Sequence, residues 1–442
     1  MTERQTVSVV GLGKLGAPMV ACLAEKGYSV IGVDVNPEAI RKVNEGLAPV
    51  QEPGLDEMLH RNRDRIRATA DYNDAIAHSD VTFIIVPTPS DPNGHFSLKY
   101  ILAAVAQIGA VLRHKERFHL VVITSTVMPG STGNEICAAL EAESGKRCGE
   151  GFGLCYSPEF IALGSVIHDM LYPDFILVGE SDPKSGAILA DIYRNLASNN
   201  PPVSHMNLVN AELAKISVNT FVTTKISYAN MLGEICERIP GADIDVVTSA
   251  IGQDTRIGKK YLKGATGYGG PCFPRDNVAF GSLASSVGAN AAIAEATDVI
   301  NRRQAARIVS HLLPSLTPGV KVGILGLAYK PDTNVIEESQ GIALAQELLS
   351  KGISIVVYDP LALENVRQVL GAQPEYAATA QDCVQRADVV VITTPSSVFK
   401  TLEPADLKSH NAARPKIMLD CWRVLDRDRF ATVCEYRALG VG

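Results

Sequence analysis

The sequence has no block of lysine or arginine, no apolar run of bilayer-spanning length and no CxxC or paired Cys/His spacing. The first absence, with a formal net charge of -7, argues against nucleic acid or an anionic membrane as the main partner, so any phosphate ligand must be held locally. The second argues against a transmembrane chain, and the third against a zinc site. Nine cysteines, an odd number scattered along the chain, do not form a disulfide framework and read as reduced thiols. The start, Met1-Thr2-Glu3-Arg4-Gln5, lacks the apolar stretch of a signal peptide and is expected to run straight into a strand, which points to the cytoplasm. What is present is 46% hydrophobic and 20% charged residues over 442 positions, too long for one core. Two or three globular domains follow.

Thr6 to Val10 is an apolar, β-rich run that leads into Gly11-Leu12-Gly13-Lys14-Leu15-Gly16, then a helical pattern to Glu25, then a strand from Tyr28 to Val33 ending at Asp34. GxGxxG alone is weak evidence. Strand, glycine turn, helix, strand and a terminal acid about twenty residues on make the whole dinucleotide-binding unit. Gly11 allows the tight turn, Gly13 the approach of pyrophosphate, and Gly16 the packing of helix on sheet. The phosphates are expected at the helix N-terminus, and Asp34 on the adenosine ribose, which favours NAD over NADP. The bland alternative is a βα turn that binds nothing.

The rhythm continues with Asp80 to Val86, ending in Pro87-Thr88-Pro89, and Leu120 to Thr124, ending in Ser125-Thr126-Val127. Ligands lie beyond the carboxyl ends of parallel strands, so Thr88 and Thr126 are placed to line the cofactor crevice, although either could simply cap a helix. Leu154 to Ser157 leads into Pro158-Glu159-Phe160, and Phe175 to Gly179 reads as the last strand of this half. Glu159 is a candidate acid or base, or else a solvated loop charge. From about Asn207 to Arg238 the pattern is one long helix on which Glu212, Lys215 and Asn219 share a face. Taken alone that stripe is the wet side of an amphipathic helix. A second helix is expected over Asn290 to Leu313.

Gly267-Tyr268-Gly269-Gly270-Pro271-Cys272-Phe273-Pro274-Arg275-Asp276 places a thiol among three glycines and two prolines, a stretch expected to be neither helix nor strand. A lone cysteine is usually structural. After Pro314 and Pro318-Gly319 the first rhythm returns: Lys351 to Asp359 aligns without a gap on Lys26 to Asp34, and Asp388 to Pro395 on Asp80 to Pro87. The second turn reads Gly326-Leu327-Ala328-Tyr329-Lys330-Pro331, with Ala328 where pyrophosphate needs glycine. This half is therefore expected to hold something other than a dinucleotide, with Lys330 near a phosphate or sugar.

Taken together, Gly269 to Asp276 (similar to a GGSCFPKD loop), the N-terminal GxGxxG, Ser125-Thr126-Val127, Ser157-Pro158-Glu159-Phe160, Ala211-Glu212-Leu213-Ala214-Lys215 with Asn219, and Gly326 to Lys330 resemble the UDP-glucose/GDP-mannose dehydrogenase family along essentially the whole chain. The resemblance implies an α/β chain with two Rossmann-like doubly wound domains joined by a long central helix and a helical dimerisation region, over 1–205, 206–315 and 316–442. It implies oxidation of a nucleotide-sugar C6 alcohol to the carboxylate with two NAD, UDP-glucose being the first choice of substrate. The cofactor would meet Gly11, Leu12, Gly13, Leu15, Gly16, Asp34, Thr88 and Thr126. Cys272 would hold the intermediate, Lys215 and Asn219 would stabilise oxyanions, Asp276 would be the base, and Thr126 and Glu159 would manage the hydrolytic water. Tyr268, Gly269, Lys330 and Arg423 would contact substrate with Glu159, Lys215 and Asn219, and Arg256 would reach the substrate of a neighbouring subunit in a homodimer or larger assembly. Departures from the family pattern are Pro271, Arg275, Leu163, Phe175 and Val335-Ile336-Glu337. A single-oxidation dehydrogenase of the hydroxyisobutyrate type, or a non-enzymatic NAD sensor, would leave Cys272 and residues 320 to 442 without a purpose.

Overall fold

The computed structural model describes residues 5–408 and 415–442; the start at 1–4 lies outside the described residues. The chain divides into two compact units, 1–217 and 218–442, and the helix Leu208–Cys236 carries the chain from the first into the second. Each unit is built on one sheet.

In the first unit the strands are β1 (Thr6–Val10), β2 (Ser29–Val33), β3 (Ile66–Thr69), β4 (Val81–Ile84), β5 (Leu120–Ile123), β6 (Gly153–Tyr156), β7 (Ile176–Glu180) and β8 (Val203–Asn207), in the order β3-β2-β1-β4-β5-β6-β7-β8. β4, β5 and β6 are buried at every position, because helices cover both faces of a parallel sheet and leave no polar side. The β6–β7 pair alone among these is antiparallel. Phe175 to Gly179 was expected to close this half, but β8 pairs parallel to β7 beyond it. β8 is largely exposed, so Val203-Ser204-His205-Met206-Asn207 carries no buried apolar pattern to betray a strand.

The second unit repeats the plan with β9 (Lys321–Leu325), β10 (Ser354–Tyr358), β11 (Glu375–Tyr376), β12 (Val389–Ile392), β13 (Ile417–Asp420) and β14 (Glu435–Ala438), all parallel, in the order β11-β10-β9-β12-β13-β14. That is the same 3-2-1-4-5-6 winding as the first six strands of the other sheet, which puts the crevice for a ligand at the carboxyl ends of β1 and β4 and of β9 and β12. The expected α/β class with two Rossmann-like sheets and a long central helix is what forms.

Two expectations need correction. The stretch Asn290 to Leu313 is two helices, Ala292–Arg302 and Gln304–Leu312, separated by a one-residue turn at Arg303, whose backbone stays in the right-handed region (φ -76°, ψ -13°). The cysteine stretch is a loop only as far as Cys272, because Phe273 opens the helix Phe273–Ser286. Pro274 stands in its first turn, where a missing N–H breaks no intrahelical bond.

Candidate functional site

The glycine turn after β1 is closed by Gly11 N–H donating to Val33 O at 2.7 Å and by Asp34, whose Oδ2 accepts Leu12 N–H at 2.6 Å and whose Oδ1 accepts Asn36 N–H at 2.8 Å. The three glycines serve different ends. A Cβ on Gly11, at φ +101°, would lie 2.2 Å from Ile85 O, and one on Gly16 would lie 1.7 Å from Gly11 O. Those two are glycine because the protein itself fills the space. At Gly13 a Cβ would meet nothing within 4 Å, and the residue is exposed. A glycine with no internal reason to be one, at the head of the helix Gly16–Glu25, is where a dinucleotide pyrophosphate would lie on the backbone. Leu15 is half-buried and packs on the core beneath. Thr88 is buried and donates to Thr126 O at 2.8 Å, so the segments after β4 and β5 are tied together at the strand ends, with Thr126 itself half-buried.

The turn after β9 copies the first in its hydrogen bonds and departs from it in its opening. Gly326, also at φ +101°, donates to Tyr358 O at 2.9 Å, and Asp359 Oδ2 accepts Leu327 N–H and Ala328 N–H at 2.7 and 2.9 Å. Both Asp359 oxygens are consumed, since Oδ1 accepts Leu361 N–H and Ala362 N–H, and the residue is buried. The part of Gly16 is played by Gly341, fifteen residues on, whose Cβ would lie 2.2 Å from Gly326 O. Gly341 was missed in the sequence because the inserted segment Leu327 to Gln340 breaks the spacing. Lys330 stands half-buried at the start of that insert.

After β6, Glu159 is held half-buried with Oε1 accepting from Tyr193 Oη at 3.2 Å. Desolvation pushes its pKa up to about 7, only partly opposed by the tyrosine hydrogen bond and the Lys215 charge. It is no solvated loop charge. Lys215, on the long helix, is buried, donates from Nζ to Glu159 O at 2.7 Å and lies 4.7 Å from the centre of the Phe160 ring. Phe160 packs against Phe175 with centroids 4.8 Å apart and the rings tilted by 39°, so the phenylalanine that departs from the family pattern packs beside the ring that faces Lys215. Leu163, a second departure, packs on the first core, and the segment around it is fixed by Glu52, which accepts Gly164 N–H at 3.0 Å and Val166 N–H at 2.7 Å. Glu52 went unnoticed in the sequence, where it is one more loop carboxylate.

In the second unit Cys272 is exposed at the head of the helix Phe273–Ser286, and its carbonyl accepts Asp276 N–H at 2.8 Å. Asp276 is buried, with Oδ2 accepting from Asn219 Nδ2 at 2.6 Å and Oδ1 facing Arg275 Nε at 3.4 Å. Asn219 and Asp276, expected to have separate tasks, are thus one hydrogen-bonded pair, and Arg275 supplies a second donor to it. The glycines of the loop are explained by what sits on them. A Cβ on Gly269 would lie 2.3 Å from Glu338 O, and one on Gly270 would lie 2.6 Å from the Tyr329 ring, while Gly270 N–H donates to Glu337 O at 2.9 Å. Glu337, the last residue of the departing Val335-Ile336-Glu337, thus lies under the cysteine loop together with Glu338 and Tyr329. Tyr268 is buried and pinned by Asn301, which accepts its N–H at 2.8 Å and donates to its carbonyl at 3.0 Å.

The remaining two expected contacts differ in availability. Arg256 is exposed and braced by Asp254 at 2.6 Å on the same turn. Arg423, at φ +54°, spends all five N–H groups inside the unit: two on Asp245, two on the carbonyls of Cys421 and Leu439, and one on Gly264 O at 2.6 Å. Among the described residues no cluster of His, Cys, Asp or Glu could hold a metal, and no helix is long and apolar enough to cross a membrane.

Comparison with known proteins agrees with this geometry. Three models of the UDP-glucose/GDP-mannose dehydrogenase family match in order: the NAD-binding domain over residues 5–197, the central domain over 209–303 and the UDP-binding domain over 323–427. UDP-glucose 6-dehydrogenase AglM of Haloferax volcanii is 37% identical over 425 residues, covering 95% of this chain and 97% of that protein. GDP-mannose 6-dehydrogenase of Pseudomonas putida is 34% identical over 414 residues, covering 90% and 92%. A solved UDP-glucose dehydrogenase from Pyrobaculum islandicum superposes with a TM-score of 0.89 at 34% identity, covering 100% of this chain and 99% of that one. On the two glycine turns, the cysteine helix and these matches, the chain belongs to the UDP-glucose/GDP-mannose dehydrogenase family, an NAD-dependent oxidoreductase with an NAD-binding and a UDP-binding domain.

Proposed function

We propose that the protein oxidises the C6 alcohol of a nucleotide sugar to the carboxylate, with UDP-glucose as substrate and Cys272 as the covalent holder of the intermediate. The observation that carries this reading is the exposed thiol at a helix head, one turn before a buried carboxylate that Asn219 and Arg275 keep oriented. A helix N-terminus favours thiolate over thiol, which suits a nucleophile. NAD, when bound over Gly13, supplies the acceptor for each hydride.

The chain's own groups divide the work. Asp276, buried and hydrogen-bonded, would take the proton of the reacting hydroxyl. The Cys272 thiolate would attack the resulting aldehyde to give a thiohemiacetal, which keeps it from hydrating or escaping, and loss of a second hydride leaves a thioester. Lys215 and Asn219, four apart on one helix, would stabilise the oxyanion of each tetrahedral species by charge and hydrogen bonding. Glu159, with a pKa near neutrality, is suited to draw a proton from the water that hydrolyses the thioester, with Thr126 orienting that water. Lys330, at the head of the second unit's crevice, would meet the nucleotide sugar, and exposed Arg256 is available to the substrate of a second subunit.

Cys272 variants test the reading. Cys272→Ala should make no uronate and form no adduct. Cys272→Ser should collapse in turnover yet accumulate a covalent ester, heavier than the chain by one oxidised substrate, because an ordinary ester hydrolyses far less readily than a thioester. Two NADH per sugar at near wild-type rate from Cys272→Ala would sink the covalent mechanism.

A further inference from the structure

Among the charged side chains of the long helix that the proposed chemistry does not use, Glu212 stands out because it is fully buried. Glu212 is completely buried, one turn before Lys215, and both its oxygens are occupied by backbone: Oε1 accepts Thr132 N–H at 2.7 Å and Oε2 accepts Gly130 N–H at 2.5 Å. Those two amides belong to the segment that leaves β5 through Thr126 and enters the π-helical turn Thr132–Ile136, so the carboxylate sits at the N-terminal end of a helical run where unpaired N–H groups converge. The front of the same segment is fastened elsewhere. Ser125 accepts Val86 N–H at 2.9 Å, and Thr126 O accepts from Thr88. The helix start is fixed in turn by Ala211, whose Cβ would be 2.6 Å from a Cβ on Gly179 of β7.

From this we infer that Glu212 is a positioning residue, a clamp that holds the Thr126 segment against the helix of Lys215 so that the two groups face the reacting carbon in fixed register. The inference rests on the catalytic roles proposed above for Thr126 and Lys215. A buried carboxylate accepting two backbone amides is a costly anchor, because removing one acceptor leaves a donor unsatisfied away from water. A hydrophobic contact could hold the segment close, but only a bidentate acceptor fixes both its distance and its orientation. Catalytic groups need this kind of precision, since misplacement by about 1 Å costs on the order of a hundredfold in rate.

Glu212→Gln keeps size and burial but turns an amide N–H2 toward one of the two backbone donors, so it should release Gly130 or Thr132. We expect kcat to fall at least tenfold while the Kd for NAD, to which the released segment brings only Thr126 beside the contacts of the Gly11 to Gly16 turn and Asp34, rises by no more than about threefold. With hydrolysis slowed, the Cys272 thioester should accumulate in the variant and be visible by intact mass spectrometry. Glu212→Asp, which keeps the charge but withdraws it by one methylene, should show an intermediate loss with the same split. A kcat within twofold of wild type in folded Glu212→Gln overturns the clamp. So does an equal loss of NAD affinity in both variants, which marks a general structural role, and so does failure of both to fold. The kcat-to-Kd split does not depend on the thiol: absence of any adduct together with a preserved split would fault the cysteine reading and leave the clamp standing.

Discussion

At the residue scale the decisive features are carboxylates placed in unlike surroundings. Glu159 has lost water and gained one tyrosine hydrogen bond, so its pKa stands at about 7 against an ordinary 4.5. A carboxyl whose folded pKa is raised gives its stabilising contribution in full below about pH 4.5 and loses it as pH climbs through about 7. The melting temperature of Glu159→Gln should therefore rise relative to wild type between pH 5 and pH 8. Under the proposed mechanism the hydrolytic step should quicken through an inflection near pH 7, and Glu159→Gln should abolish that inflection. Tyr193→Phe removes a bond that favours the ionised form and should move the inflection upward. A profile unchanged in all three proteins would take Glu159 out of the chemistry. Asp34 is placed differently: its two backbone hydrogen bonds orient its carboxylate at the end of β2, where a 2′-phosphate would be repelled. NAD should be preferred over NADP by about tenfold, or ~1.4 kcal/mol, and Asp34→Ala should narrow the gap in kcat/KM.

The two glycine turns show at the scale of elements what a sequence reveals and what it hides. GxGxxG was legible because its spacing is short and its three roles fall within six residues. Its counterpart after β9 was half legible: Gly326 and Ala328 could be placed, but the glycine that lets helix approach strand is Gly341, and an insert separates it from its partners. β8 and the first turn of the cysteine helix were missed for related reasons, since an exposed edge strand carries no apolar alternation and Phe273-Pro274 looks like a breaker until it is seen to be a helix start. The turns make opposite predictions for the same substitution. Gly13→Ala meets no atom of the chain, so the melting temperature should hold within about 2 °C while the Kd for NAD rises at least tenfold. Gly341→Ala drives a methyl into Gly326 O, so the second unit should be destabilised by roughly 1–3 kcal/mol with NAD affinity unchanged. A stability loss at Gly13 would mean that its glycine is structural after all.

For the molecule as a whole, two sheets of one winding have been given different ligands by what each leaves open. The first exposes Gly13 and keeps Asp34 at a half-buried edge, whereas the second has alanine at the matching position and a buried Asp359 with four backbone amides on it. Lys330→Ala should accordingly raise the KM for the nucleotide sugar and leave the Kd for NAD alone. Arg423 poses the sharper test, because resemblance assigns it to substrate while its surroundings assign it to the fold. Five N–H groups are already engaged, two of them in a paired contact with Asp245, and a residue other than glycine holds φ +54° to make that possible. To reach a ligand the guanidinium would have to abandon acceptors that the ligand must then replace. If Arg423 is a clamp, Arg423→Ala and Asp245→Ala should each cost on the order of 1–3 kcal/mol in stability, and the double variant should cost far less than their sum. The KM for the sugar would then change alike in the two single variants, following the shared loss of structure. A rise in KM confined to Arg423→Ala, with Asp245→Ala near wild type, would instead give the arginine back to the substrate.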